Sequence, residues 1–206
     1  DGHFHGEDAW YHVRKKSKPA LAEILGAHEH EVVAMNHLSV NLHLLMVSFY
    51  GPTKDRYKII VEAGAFPSDQ YMLETQLKFH GLDPKEALVE LTPRTGEHTL
   101  RTEDILAEIR KQGDSLALVN MGGLQYYTGQ LFDMRAITQA AYEVGALAGF
   151  DLAHAVGNVV LNLHDWNVDF ATWCSYKYLN SGPGNISGIF VHERYAERPD
   201  LPRFAG

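Results

Sequence analysis

Two side chains in the last third of the sequence pair an amine with a carboxylate: Asp151, in "FDLAHAVGN", and Lys177, in "WCSYKYLNSGPG". Lys177 lies between Tyr176 and Tyr178, after an apolar run (Phe170, Ala171, Trp173, Cys174) and before Ser-Gly-Pro-Gly. An ammonium beside apolar residues is costly to desolvate unless it is paired or neutralised. Lys177 therefore either snorkels to solvent or serves as an amine that can lose its proton. Asp151, between Phe150 and Leu152, either caps the segment that follows or is a buried carboxylate held ionised by a cation.

Taken together, the two residue types suit one chemistry. Pyridoxal 5'-phosphate needs a lysine for its aldehyde and a carboxylate at its pyridine nitrogen. It also calls for a flat side chain over the ring and a cup for phosphate. Phe66, in "EAGAFPSDQY", is a candidate for the first from a strand-end loop, with a core position as its alternative reading. Leu38 and Ser39, in "MNHLSVNLH", open a helix where free N–H groups and a hydroxyl suit phosphate, or where Ser39 is a plain cap.

The elements that must position these residues alternate. The sequence predicts strands over 57–64, 87–91, 115–121, 149–154, 169–175 and 187–192. Helices are expected over 68–81, starting near Ser68 or Asp69, and over 101–113, with Thr102 as N-cap. A third runs over 133–149 with an apolar stripe of Met134, Ile137, Ala141, Val144 and Ala148, and "PALAEILGA" and "HLSVNLHLLMVSFYG" add two more upstream. This order predicts an α/β fold, a mostly parallel sheet with helices on both faces. Ligands of such sheets bind at the carboxyl ends of the strands, which is where Phe66 to Asp69, Asp151, His154 and Lys177 fall.

Composition narrows the class. The chain has 206 residues, 45% of them hydrophobic and 21% charged, as in ordinary globular domains. A formal net charge of −8 argues against nucleic acid as a partner. No apolar run is long enough to span a membrane, and no signal peptide is visible. The single cysteine, Cys174, excludes an internal disulfide and suits a reducing, cytoplasmic compartment.

"FDLAHAVGN", "WCSYKYLN", "EAGAFPSDQY", "MNHLSVNLHLLM" and "YYTGQLFDM" resemble the kynureninase family, in order and with matching spacing. The resemblance implies the large domain of the fold type I pyridoxal-phosphate transferase fold. It implies hydrolysis of the β–γ carbon bond of kynurenine or 3-hydroxykynurenine, giving anthranilate or 3-hydroxyanthranilate plus alanine, in tryptophan catabolism and NAD biosynthesis. By it, Lys177 is the Schiff-base lysine, Asp151 the partner of the pyridine nitrogen, and Phe66 the stacking ring. His154 lies near the cofactor, and Ser68 and Asp69 belong to the same turn. Leu38 and Ser39 hold phosphate, Tyr176 adds its phenol there and in proton transfer, and His3, in "DGHFHG", lines the substrate site. A homodimer with the active site at its interface is likewise implied. Family members continue beyond residue 206 into a smaller domain and carry an N-terminal arm, so residues 1–206 are expected to be the cofactor-binding large domain, alone a poor catalyst.

Three rival readings stand beside this one. A cysteine desulfurase or selenocysteine lyase needs a mobile nucleophilic cysteine, whereas Cys174 sits inside an apolar run. A metal protein is suggested by "HFH" at 3–5 and "HEH" at 28–30, but one His-x-His pair offers two ligands where zinc takes three or four. A non-catalytic cofactor-binding fragment is the third.

Overall fold

The computed structural model describes residues 2–7 and 9–204. In chain order the regular elements are α1 (Lys18–Leu25), β1 (Val32–Ala34), α2 (Leu38–Phe49), β2 (Lys58–Glu62), α3 (Pro67–Phe79), α4 (Pro84–Ala87), β3 (Leu88–Leu91), α5 (Thr102–Gln112), β4 (Leu116–Gly122), α6 (Met134–Glu143), β5 (Leu147–Asp151), β6 (Phe170–Trp173) and β7 (Gly188–Val191), joined by loops and short 3-10 turns. The strands form one sheet in the order β1-β7-β6-β5-β4-β2-β3. Pairings from β3 through β6 are parallel, and β7 runs antiparallel to both β6 and β1.

Alternation along the strands sends side chains to two cores. Ile59 and Val61 pack with α2 and α3 on one face, while Ile60 packs with α1, α5 and α6 on the other. The mostly parallel sheet with helices on both faces is thus present. α5 carries Glu103 and Asp104 in its first turn and Arg110 and Lys111 in its last, complementing the helix dipole.

Several boundaries differ from the sequence reading. The expected helix over 133–149 stops at Glu143: Gly145 takes φ 74°, and Leu147–Asp151 pairs with β4 as a buried strand, so Ala148 lies in the sheet. Short apolar Leu-Ala-Gly runs fit either periodicity, and pairing decides between them. Thr102 is the first helical residue of α5 and Arg101 the N-cap, without a side-chain bond. α3 begins at Pro67 with Phe66 as N-cap, because a proline ring suits the first helical position. β5 ends at Asp151 and β6 at Trp173, so the strands expected to reach His154 and Ser175 give way to turns there. β1 has three residues and was not anticipated; it is held by its ladder with β7.

The glycines of the loop after Lys177 serve turn geometry. Gly182 (φ 96°) and Gly184 (φ 72°) have nothing within 4 Å of a Cβ, so they serve a left-handed turn. Close approach occurs at Gly188, where an added Cβ would lie 2.2 Å from the Trp173 ring.

Candidate active site

A cavity of about 250 Å³ opens at the carboxyl ends of β2, β4, β5 and β6. Its walls include Leu38, Ser39, Phe66, Ser68, Asp69, Asp151, His154, Tyr176 and Lys177. Four loops deliver them: the starts of α2 and α3 and the turns after β5 and β6. His3 stands apart, exposed beside Phe4 and Trp10 and outside the lining of the cavity.

Lys177 lies in the turn four residues beyond β6 and is half-buried. Its Nζ donates to His154 Nε2 at 2.9 Å and sits 5.5 Å from the centroid of the Phe66 ring. Burial, and then the neighbouring Lys177, lower the His154 pKa below its ordinary value. A neutral imidazole accepting at Nε2 carries its proton on Nδ1. Phe66 meets Tyr126 edge-on at 5.2 Å.

Asp151 ends β5, nearly buried, and its Oδ1 accepts from the Ala153 N–H at 2.7 Å. The local-cap alternative is therefore partly realised, but the segment that follows is a run of turns rather than a helix. Asp69 and Glu62 are buried beside it. Burial and then the charge of Asp151 push the Asp69 carboxyl far above the usual range, so the Asp69–Asp151 pair holds a proton between its carboxyl groups. Ser68 Oγ in turn donates to Asp69 Oδ1 at 3.3 Å. Burial also raises Glu62, to about 7, against hydrogen bonds from Gly122 N–H at 3.1 and 3.2 Å to its two oxygens.

At the opposite wall, α2 begins without a side-chain cap and without acidic residues in its first turn, which leaves its first N–H groups free for an anion. Tyr176 reaches in from the β6 turn. A hydrogen bond with Cys174 and burial push its hydroxyl up to about 12. Cys174 is itself buried, and burial raises its thiol, so it is a protonated wall residue rather than a mobile nucleophile.

Sequence reasoning missed Glu62, Tyr126 and Gly122 in this cavity. Glu62 had a usable signal, an acidic residue directly ending an apolar strand. Tyr126 had one as well, since it opens the "YYTGQLFDM" motif; its loop is pinned by the buried Gln125, whose Nε2 donates to Gly64 O at 2.8 Å and whose Oε1 accepts from Tyr127 and Thr128 N–H groups.

The family model described as aminotransferase class-V matches residues 5–202. This chain belongs to the aminotransferase class-V family. Among curated relatives within that breadth, it is 60% identical over 206 residues to a kynureninase of Flavobacterium johnsoniae, covering all of this chain and 48% of the relative. It is 59% identical to a kynureninase of Myxococcus xanthus, with the same coverage, and 58% over 205 residues to one of Nematostella vectensis, covering 44% of that protein. The chain spans about half the length of the curated relatives it matches. Solved structures share the fold. A cysteine desulfurase from Thermococcus onnurineus superposes with TM-score 0.76 at 21% identity over 93% of this chain and 46% of that one. A C-DES mutant with glycine covalently linked to its PLP-cofactor superposes at 0.75, with 14% identity, over 93% and 49%.

Proposed function

We propose that this chain is the cofactor-binding large-domain portion of a pyridoxal-phosphate-dependent kynureninase, hydrolysing kynurenine or 3-hydroxykynurenine to anthranilate or 3-hydroxyanthranilate plus alanine. The observation that carries the reading is the meeting of Lys177 and Asp151 in one cavity, within a chain about 60% identical to kynureninases along its whole length. A homodimeric, cytoplasmic enzyme of tryptophan catabolism and NAD biosynthesis belongs to the same proposal and rests on the relatives' names and the family resemblance.

The donor set fits the cofactor. Asp69 and Asp151 share a proton in a buried acidic pocket whose one lysine, Lys177, is engaged with His154. With the cofactor bound, Asp151 would face a pyridine nitrogen able to donate in place of Asp69. Asp151 would hold that nitrogen and Lys177 the aldehyde, with Phe66 over the ring and the first turn of α2 with Ser39 and Tyr176 at the phosphate. When bound, the cofactor supplies an electron sink for the substrate's α-carbon.

The chain's own groups then divide the proton work. Lys177, as a neutral amine, would take the α-proton, and His154 Nε2 is placed to accept from Nζ. Tyr176 keeps its proton at neutral pH and therefore acts as the acid at the substrate carbonyl. Water's oxygen ends on that carbonyl carbon, while the cleaved β-carbon gains a proton and leaves as alanine. The buried carboxyl groups of Glu62 and Asp69 lie beside Asp151 and would hold it toward a bound ring.

The reading is tested by absorbance of the full-length protein with added pyridoxal phosphate, before and after borohydride. A visible band that borohydride fixes covalently, with anthranilate formed from kynurenine, is expected in the native protein, and both are lost in Lys177→Ala. A Lys177→Ala variant that keeps the fixable band would overturn the assignment.

A further inference from the structure

At the other edge of the sheet, where the parallel strands begin, three segments distant in sequence converge. They are the turn at 28–31 that leads into β1, the loop at His164 ahead of β6, and the start of the turn that follows β7. The strands place this cluster a strand's length from the cavity, on the order of 15 Å.

His28, His164 and Glu193 each bring a ligand atom within 4.8 Å of the others. The His28 and His164 rings lie 4.1 Å apart at 59°. His30 Nε2 is 2.9 Å from Glu193 Oε2, which adds a fourth group to the edge of the set. Behind them lies Glu31, whose side chain is fully buried. Its oxygens accept from His28 N–H and Glu193 N–H, both at 2.8 Å, and from His164 Nδ1 at 3.0 Å. Burial pushes the Glu31 carboxyl up, but these bonds outweigh it and hold it below its ordinary value. Glu31 is thus filled by protein donors. As an acceptor it holds the His164 proton on Nδ1, and in that tautomer Nε2 keeps the ring's lone pair. His192 stacks on the same ring at 4.8 Å and 24°, fixing its plane.

A buried carboxylate that orients one histidine, with two more histidines and a carboxylate beside it, is the arrangement by which proteins hold borderline divalent metals. We propose that His28, His30, His164 and Glu193 bind one Zn²⁺ ion, with Glu31 as the outer carboxylate that positions His164. Bond lengths of about 2.0–2.1 Å put tetrahedral ligand atoms about 3.3 Å apart, so the present spacing must close slightly. Exposed His28, His30 and Glu193 have the rotamer freedom to do so. The sequence showed two of the four ligands, the pair at 28 and 30. The fold supplies the others from residues more than 130 positions away. Because the metal would clamp three chain segments at the edge opposite the cavity, its effect is on stability rather than on turnover.

The test is zinc titration of the chelator-stripped, full-length protein against a chromophoric zinc indicator, with thermal unfolding read in parallel. Expected are one zinc per chain with a dissociation constant in the micromolar range or tighter, and a rise in Tm with excess zinc. His28→Gln and Glu193→Gln, which keep the backbone N–H bonds to the Glu31 carboxylate, should each weaken binding about tenfold or more. A His3→Gln/His5→Gln double variant should bind as the native protein does. No stoichiometric binding, binding unchanged in a His28→Gln/Glu193→Gln double variant, or binding lost with the N-terminal pair would each overturn the site.

Discussion

Glu62 shows how one residue ties folding to the candidate active site. It ends β2 directly beneath Gly122 and beside Asp151, and burial raises it from its ordinary 4.5 to about 7. A carboxyl raised on folding holds a proton in the native state that the unfolded chain has already released. Its stabilising protonated form is complete below the unfolded value and is lost as pH rises through about 7. Asp69 is shifted in the same direction. The cofactor-free protein should therefore lose stability between roughly pH 5 and 8. Glu62→Gln should make that slope shallower and gain roughly 2–3 kcal/mol at the alkaline end. Denaturant midpoints of both proteins across this range check it, and an unchanged slope in the variant would remove Glu62 from the account. Tyr176 is shifted up and His154 down, which favours the protonated phenol and the neutral imidazole that the proposed mechanism calls for.

β6 and β7 act as one element in placing Lys177. Their antiparallel ladder pairs Trp173 with Gly188, and the Trp173 ring occupies the space a side chain at 188 would fill. Gly188→Ala should destabilise the protein by roughly 2–3 kcal/mol, since a buried indole against backbone has nowhere to move. Gly182→Ala, in the following loop, meets no atom and should cost only about 1 kcal/mol through its positive φ. Chemical denaturation of the two variants side by side measures the contrast. Equal costs would mean that the turn, and not the ladder, sets the position of Lys177.

The whole molecule is held by polar ties as well as by its two cores. Asp169, fully buried ahead of β6, accepts from Ala148 N–H at 2.7 Å, from the Tyr142 hydroxyl at 2.9 Å and from the Tyr195 hydroxyl, with Arg194 at 3.5 Å. It thereby joins α6, β5, β6 and the turn after β7. Asp169→Ala leaves these donors unpaired in the interior and should cost roughly 3–5 kcal/mol. Calorimetric unfolding would show it, and a loss within a few tenths of a kcal/mol would mean that the hydroxyls find water instead. The Glu31 cluster ties β1, the His164 loop and β7 in the same way, so both edges of β6 are secured from beneath while its upper turn carries the lysine.

The sequence by itself determined the alternating architecture, because strand and helix periodicities differ and survive in any context, and it determined the residue types of the candidate site. Lys177, Asp151 and Phe66 were legible as polar or aromatic interruptions where apolar strands end. Ser68, Asp69 and His154 stood out by the same strand-end position, and the resemblance to a family added Tyr176 and His3. Other features were decided only by the tertiary structure. Leu147–Asp151 became a strand and not the tail of α6, since only pairing with β4 separates two patterns that a short apolar run satisfies equally. Glu62 and Tyr126 joined the cavity, and His164 and Glu193 joined His28, because proximity between residues far apart in sequence is set by the order of strands in the sheet. The protonation states were decided there too, because burial and neighbouring charge belong to the folded chain alone.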